Sequence, residues 1–128
     1  MKIGIRLSRE AMSGIEELKK IYQESDALDE MRITNGATIG LALRELKKTN
    51  SLENWDWESV IFGNQFVDKN SKAEKSEIRT SLTLNDDIIK DIEKLKKIFP
   101  NYTMTKYVTT SYVIRIIVRA ALMQKNKI

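Results

Sequence analysis

Apolar and polar residues alternate at the start of the chain, where Ile3, Ile5 and Leu7 are separated by Lys2, Gly4 and Arg6. A period of two places one set on each face of a strand, so positions 2–7 predict a short strand with one buried side. The period then changes. Ala11, Ile15, Leu18 and Tyr22 follow at spacings of four, three and four, which aligns them along one stripe of a helix. Both patterns return downstream. Thr80, Leu82 and Leu84 alternate with Arg79, Ser81 and Thr83, and Ile88, Ile92, Leu95 and Phe99 repeat the helical stripe 77 positions after the first. Leu7, Ile15, Glu16, Leu18, Lys19, Lys20 and Ile21 recur unchanged as Leu84, Ile92, Glu93, Leu95, Lys96, Lys97 and Ile98. Self-similarity of this extent marks an internal duplication.

Each strand runs into a helix through a residue suited to capping, Ser8 in the first copy and Asn85 in the second, the latter followed by the acids Asp86 and Asp87 that a helix start favours. Pro100 is expected to stop the helix of the second copy and the polar "QESD" around Ser25 that of the first. The repeat resumes with a slip of two: Val108, Thr109, Ile114, Ile116, Val118 and Arg119 match Ile33, Thr34, Ile39, Leu41, Leu43 and Arg44 at an offset of 75. A second helix, capped by Thr34 or Thr109, is therefore expected in both copies. The chain divides into a first unit over 1–46, a connector over 47–77 and a second unit over 78–128. Units this small cannot each bury enough apolar surface, so one shared core is expected. The connector is polar at its ends and aromatic in its middle. Trp55, Trp57, Phe62 and Phe66 lack the interleaved basic residues of a base-stacking platform, so they are expected to tuck it against the helices.

With 41% hydrophobic and 31% charged residues, the composition is that of a folded domain. The absence of Cys and His excludes a disulfide framework, a Cys/His zinc site, a Cys nucleophile and a His base together, and no Asp/Glu spacing suggests a paired catalytic site. Neither enzymatic activity nor a cofactor is expected. "MKIGIRLSRE" lacks a continuous apolar region, and the longest apolar stretch, "YVIRIIVRAALM", carries Arg115 and Arg119 and is too short to cross a bilayer. A cytoplasmic location without a membrane partner is the expectation, in a host's cytoplasm if a virus or plasmid encodes the chain. The net charge of +4 is modest, but it is unevenly placed: nothing acidic follows Glu93, whereas "ESDALDEM" at 24–31 is acidic. A polyanion would meet one favourable surface and one repulsive one.

The alternating strand at the chain start, the junctions "RLSREAM" and "TLNDDII", and the second-helix starts in "ITNGATIGLALREL" and "VTTSYVIRIIVRAAL" resemble the ribbon-helix-helix superfamily of small DNA-binding repressors, to which the Arc and MetJ class belongs. The resemblance covers 2–46 and 79–123. The segments between the helices, 24–32 and 100–107, are longer than that family's usual tight loop. It implies a mainly α fold with a short two-stranded antiparallel β-ribbon, both halves of the usual dimer being carried by one chain as a tandem pseudo-dimer.

By that resemblance, a ribbon of strands 2–7 and 79–84 would bury Ile3, Ile5, Leu7, Thr80, Leu82 and Leu84 and turn Lys2, Gly4, Arg6, Arg79, Ser81 and Thr83 toward the bases of a major groove. As polar strand residues, these six equally suit the solvent side of a hairpin. Gly4 offers no side-chain contact and would permit close backbone approach. The family clamps flanking phosphates with free amides at its second-helix N-termini, which carries over to Thr34, Asn35 and Gly36 and to Thr109, Thr110 and Ser111, and Lys106 and Tyr107 are expected to add phosphate contacts. Arg44 and Arg119 lie beyond the first turn and are expected to pack or form ion pairs. One half-site would meet mostly residues of the first copy and the other mostly those of the second. The implied function is a sequence-specific transcriptional regulator, typically a repressor, occupying a double-stranded DNA operator, with neighbouring chains self-associating on adjacent sites. The alternatives are a plasmid transfer or partition accessory protein, or a protein-interaction adaptor whose DNA face is silent.

Overall fold

The computed structural model describes residues 2–25, 33–63 and 77–125. Strands β1 (Lys2–Ser8) and β2 (Glu77–Thr83) pair antiparallel, with Ile3 opposite Leu82, Gly4 opposite Ser81 and Arg6 opposite Arg79. Partners across a ladder share a face, so the alternation read from each strand coincides in the pair. Leu7 and Leu82 are buried with no exposed surface, and Ile3 and Ile5 pack partly against the core. The protein is mainly helical with this two-stranded ribbon.

Helix α1 (Arg9–Ser25) follows β1 directly, and Ser8 Oγ accepts the Ala11 amide at 3.1 Å. The matching helix after β2, α4, the fourth helix of the chain, is cut short by Pro100 and spans Asp86–Ile98. Asn85 sits at its N-cap position without a side-chain cap, and its carbonyl takes the Ile88 and Ile89 amides at 3.1 Å each. Helices α2 (Asn35–Thr49) and α6 (Thr110–Gln124) are both 15 residues long, and their caps Thr34 and Thr109 accept the Ala37 and Tyr112 amides at 3.1 Å. Helix α2 thus runs past position 46, where the sequence placed the end of the first unit.

Two short helices were not anticipated. Pro100 ends the α4 ladder for want of an amide, but a proline fits the first position of a helix, and the chain makes another turn as α5 (Pro100–Thr103) before Met104 closes it at φ 59°. In the connector, Asp56 caps α3 (Trp57–Phe62), accepting the Ser59 amide at 3.2 Å.

The core is organised around α6, which contacts α1, α2, α3, α4 and β1. From Val113 to Leu122, all but Arg115 are buried, so this helix has no solvent face to keep polar. The connector covers what the other helices leave open. Trp57 is fully buried edge-on against Phe99, ring centroids 4.9 Å apart, and Phe99 meets Tyr112 at 6.3 Å. The Trp57 and Trp55 indole N–H groups donate to the Leu52 and Leu46 carbonyls at 2.7 Å, so neither polar tip is left unpaired. Phe62 departs from the expected packing, being 58% exposed because it sits on the outer side of the last turn of α3, and Phe66 lies outside the described residues. Close approach between α1 and α6 depends on Gly14, where a Cβ would stand 2.2 Å from Val118 Cγ1.

Candidate nucleic-acid interface

Lys2, Gly4, Arg6, Arg79, Ser81 and Thr83 are all exposed on one side of the ribbon. The register pairs them as Lys2 with Thr83, Gly4 with Ser81 and Arg6 with Arg79. None of the three cations forms an ion pair among the described residues. Two guanidinium residues directly opposite each other repel, so the Arg6–Arg79 pair costs stability until an anion or a hydrogen-bond acceptor relieves it. No atom lies within 4 Å of a Cβ built on Gly4, so internal packing does not require glycine there.

The second-helix N-termini flank opposite ends of this ribbon. Ser111 Oγ donates to the Arg6 carbonyl at 2.7 Å, which fixes the start of α6 at the arginine end. At the other end, Gly36 is buried against the Thr83 carbonyl, 2.1 Å from where its Cβ would be. These contacts are counterparts, since Gly36 and Ser111 differ by 75 and Arg6 and Thr83 by 77, the offsets of the two repeat segments. Beside Gly36, a groove lined by Lys2, Glu16, Lys19, Asn35, Ser81 and Thr83, with Lys19 paired to Glu16 at 3.4 Å, joins the helix start to the outer ribbon face.

The caps consume the third amide of each helix, and the Thr34 and Thr109 carbonyls accept those of Thr38 and Val113. Among the described residues, nothing accepts from the amides of Asn35, Gly36, Thr110 and Ser111. Such amides suit an anion. Gly36 is enclosed by the ribbon, which leaves Asn35 as the more accessible donor of its pair; Asn35 Oδ1 is itself buried without a partner. Lys106 and Tyr107 are exposed on the segment leading into α6.

Antiparallel pairing corrects one expectation. Because the strands run in opposite directions, each ribbon end mixes the two copies: Arg6 with Arg79 at one end, Lys2 with Thr83 at the other. A half-site therefore does not face one copy.

Arg119 is buried, and its Nη2 donates to Glu10 Oε1 at 2.8 Å while its Nε meets Glu10 Oε2. Arg115 Nε also reaches Glu10 at 2.8 Å, and Arg119 Nη1 donates to the Ile61 carbonyl at 3.3 Å. The sequence signal for this cluster was two arginines four apart in an otherwise apolar helix, but not the identity of their partner. Arg44 departs from its expected packing or ion-pairing role: it is exposed and forms no ion pair among the described residues. Its counterpart acid would be Asp87, one methylene shorter and exposed at the start of α4, and α2 and α4 are joined instead by an ion pair of Lys47 and Asp91 at 2.7 Å.

Burial pushes the Glu10 carboxyl up, but bonding and charge from Arg119 and Arg115 outweigh it and hold the group below its ordinary value. With the folded pKa lowered, its stabilisation is complete above the ordinary glutamate range and is lost as pH falls through the folded value. Glu10→Gln, which leaves Arg119 buried opposite a neutral group, is expected to cost about 2–3 kcal/mol at neutral pH. Urea unfolding over a series of falling pH should find the gap between variant and parent closing as the pH drops below the ordinary glutamate range and through the lowered folded value.

Among the described residues, no cluster of acidic side chains could hold a metal, and no helix is long and apolar enough to cross a membrane. No family model, curated protein or solved structure matches the chain.

Proposed function

We propose that this chain is a sequence-specific double-stranded DNA-binding protein, acting as a transcriptional regulator, and that its repeats are the two halves of one ribbon-helix-helix pseudo-dimer. The observation that carries this reading is the pairing of Gly4 with Ser81. Those positions are equivalent in the duplication, so their pairing puts a local two-fold axis through the ribbon centre. Around such an axis a dimeric reader places one strand from each protomer; here, both come from one chain. The outward polar row suits a major groove, and the helix starts at either end suit the flanking phosphates.

The mechanism follows from the groups presented. Arg6 and Arg79 offer bidentate donors for guanine O6 and N7, Lys2 adds charge, and Ser81 and Thr83 add hydroxyls and a methyl group. Amides of Asn35 and Thr110 set the depth and angle of the ribbon by holding the DNA backbone. Occupancy of an operator would exclude other proteins from it.

Titration of a labelled duplex at increasing salt tests the reading. Affinity is expected to fall linearly with salt on logarithmic axes. Thr34 and Thr109 have ψ of 165° and 162°, a conformation proline accepts in its predecessor, so Asn35→Pro and Thr110→Pro remove an amide at a tolerated helix position. Both variants should bind all sequences more weakly and alike. Salt-independent binding, or undiminished affinity in both folded variants, would contradict the reading.

A further inference from the structure

The two ends of the ribbon are related by the duplication but differ in charge. At one end stand Arg6 and Arg79, with Arg9 as the first residue of the following helix; their counterparts at the other end are Thr83, Lys2 and Asp86. All six are exposed. Over these six positions the formal charge is +3 (three Arg) against zero (one Lys, one Asp, one Thr), and Glu77, opposite Ser8, brings the arginine end to +2. The acids at the second position of each following helix, Glu10 and Asp87, add to the difference. Glu10 is committed inward to Arg115 and Arg119, whereas Asp87 is exposed without an ion pair among the described residues. The arginine end also holds the cross-strand guanidinium pair, whose repulsion a guanine edge or phosphate would relieve.

Resting on the DNA-binding reading, we infer that the ribbon is polar: its arginine end anchors the chain on a guanine-containing half of the site, so each chain binds DNA in one orientation. The opposite end completes the docking through shape and the α2 start, with weaker base preference. A two-fold symmetric reader accepts either orientation of a palindrome. This one discriminates, because reversal would place Lys2, Thr83 and Asp86 where three arginines had been.

Absence of cysteine makes the orientation measurable. Met104 is 91% exposed, stands outside the proposed contacts and lies on the segment leading to α6, whose Ser111 is held at the arginine end, so Met104→Cys can carry a DNA-cleaving iron chelate on the chain that approaches that end. The probe is a duplex selected from a random pool by the unmodified full chain. Cleavage is expected on one flank only, the guanine-containing side. Arg6→Ala and Arg79→Ala should each lower specific binding roughly tenfold or more, Lys2→Ala should lower binding of all sequences alike, and Thr83→Ala should change little. Arg6→Lys and Arg79→Lys keep the charge without the fork, so they should retain the salt dependence but lose guanine preference. Equal cleavage on both flanks, or equal losses from alanine at both ends, would overturn polarity while leaving DNA binding in place. Failure of the chain to retain any duplex would overturn both.

Discussion

Divided between its repeats, the chain is expected to lose its fold. Pieces 1–50 and 75–128 should each be largely unfolded alone, by circular dichroism and amide exchange, and should gain helix on mixing. Each piece has one strand, and a single strand has no ladder partner for its backbone groups. The second piece contains α6, whose buried length depends on α1 and α2 from the first and on the connector. About 25 cal/mol per Å² of apolar surface is withheld from each piece, while the chain-entropy cost per residue is unchanged. Because the 1–50 piece lacks Leu52, Trp57 and Val60, all buried in the intact chain, mixing 1–74 with 75–128 should restore a more stable complex. A stable monomeric fold in either short piece would mean that the repeats do not complete one another.

The second large effect is expected at Trp57. Trp57→Ala should destabilise the chain by about 3–5 kcal/mol in urea unfolding, the range for emptying a buried aromatic site. The indole fills the space against Phe99 and bonds the Leu52 carbonyl, so its loss leaves both a cavity and a weakened turn. Phe62→Ala, on the exposed side of the same short helix, should stay within about 0.5 kcal/mol. A small effect at Trp57 would mean that the connector is a tether rather than part of the core.

The ribbon and four principal helices were legible because each carries its own period: two for the strands, four-three-four for α1 and α4, and threonine caps for α2 and α6. Local side-chain chemistry fixed those elements, and the same alternation placed the six outward residues on one face. Other features depended on tertiary partners. Aromatic residues in the connector have no period, so their docking could be anticipated from composition but the α3 turn and the Trp57–Phe99 contact could not. Arg119 implied a partner, yet Glu10 is 109 positions away, and its sequence neighbours do not mark it. Position 36 looked like an accessible phosphate donor, whereas its buried place against the Thr83 carbonyl follows from how closely α2 approaches the ribbon. Mixing of the copies at each ribbon end follows from antiparallel pairing, which the resemblance already implied. This feature was therefore legible, and a half-site facing one copy did not follow from it.

That register also gives the proposed reader its asymmetry. A duplicated chain is free to diverge at one end without altering the other, as a homodimer is not. Here an arginine–arginine pair at one ribbon end is matched by a lysine–threonine pair at the other, while buried leucines and threonine caps are common to both units.

The most direct measurement is the mass of the complex formed on a short duplex selected by the full chain from a random pool, together with the sequence of that duplex. One chain bound to a non-palindromic core is the predicted result. Two chains meeting across a palindrome, or a pool that shows no enrichment after repeated selection, would contradict the account of one chain as a complete DNA reader.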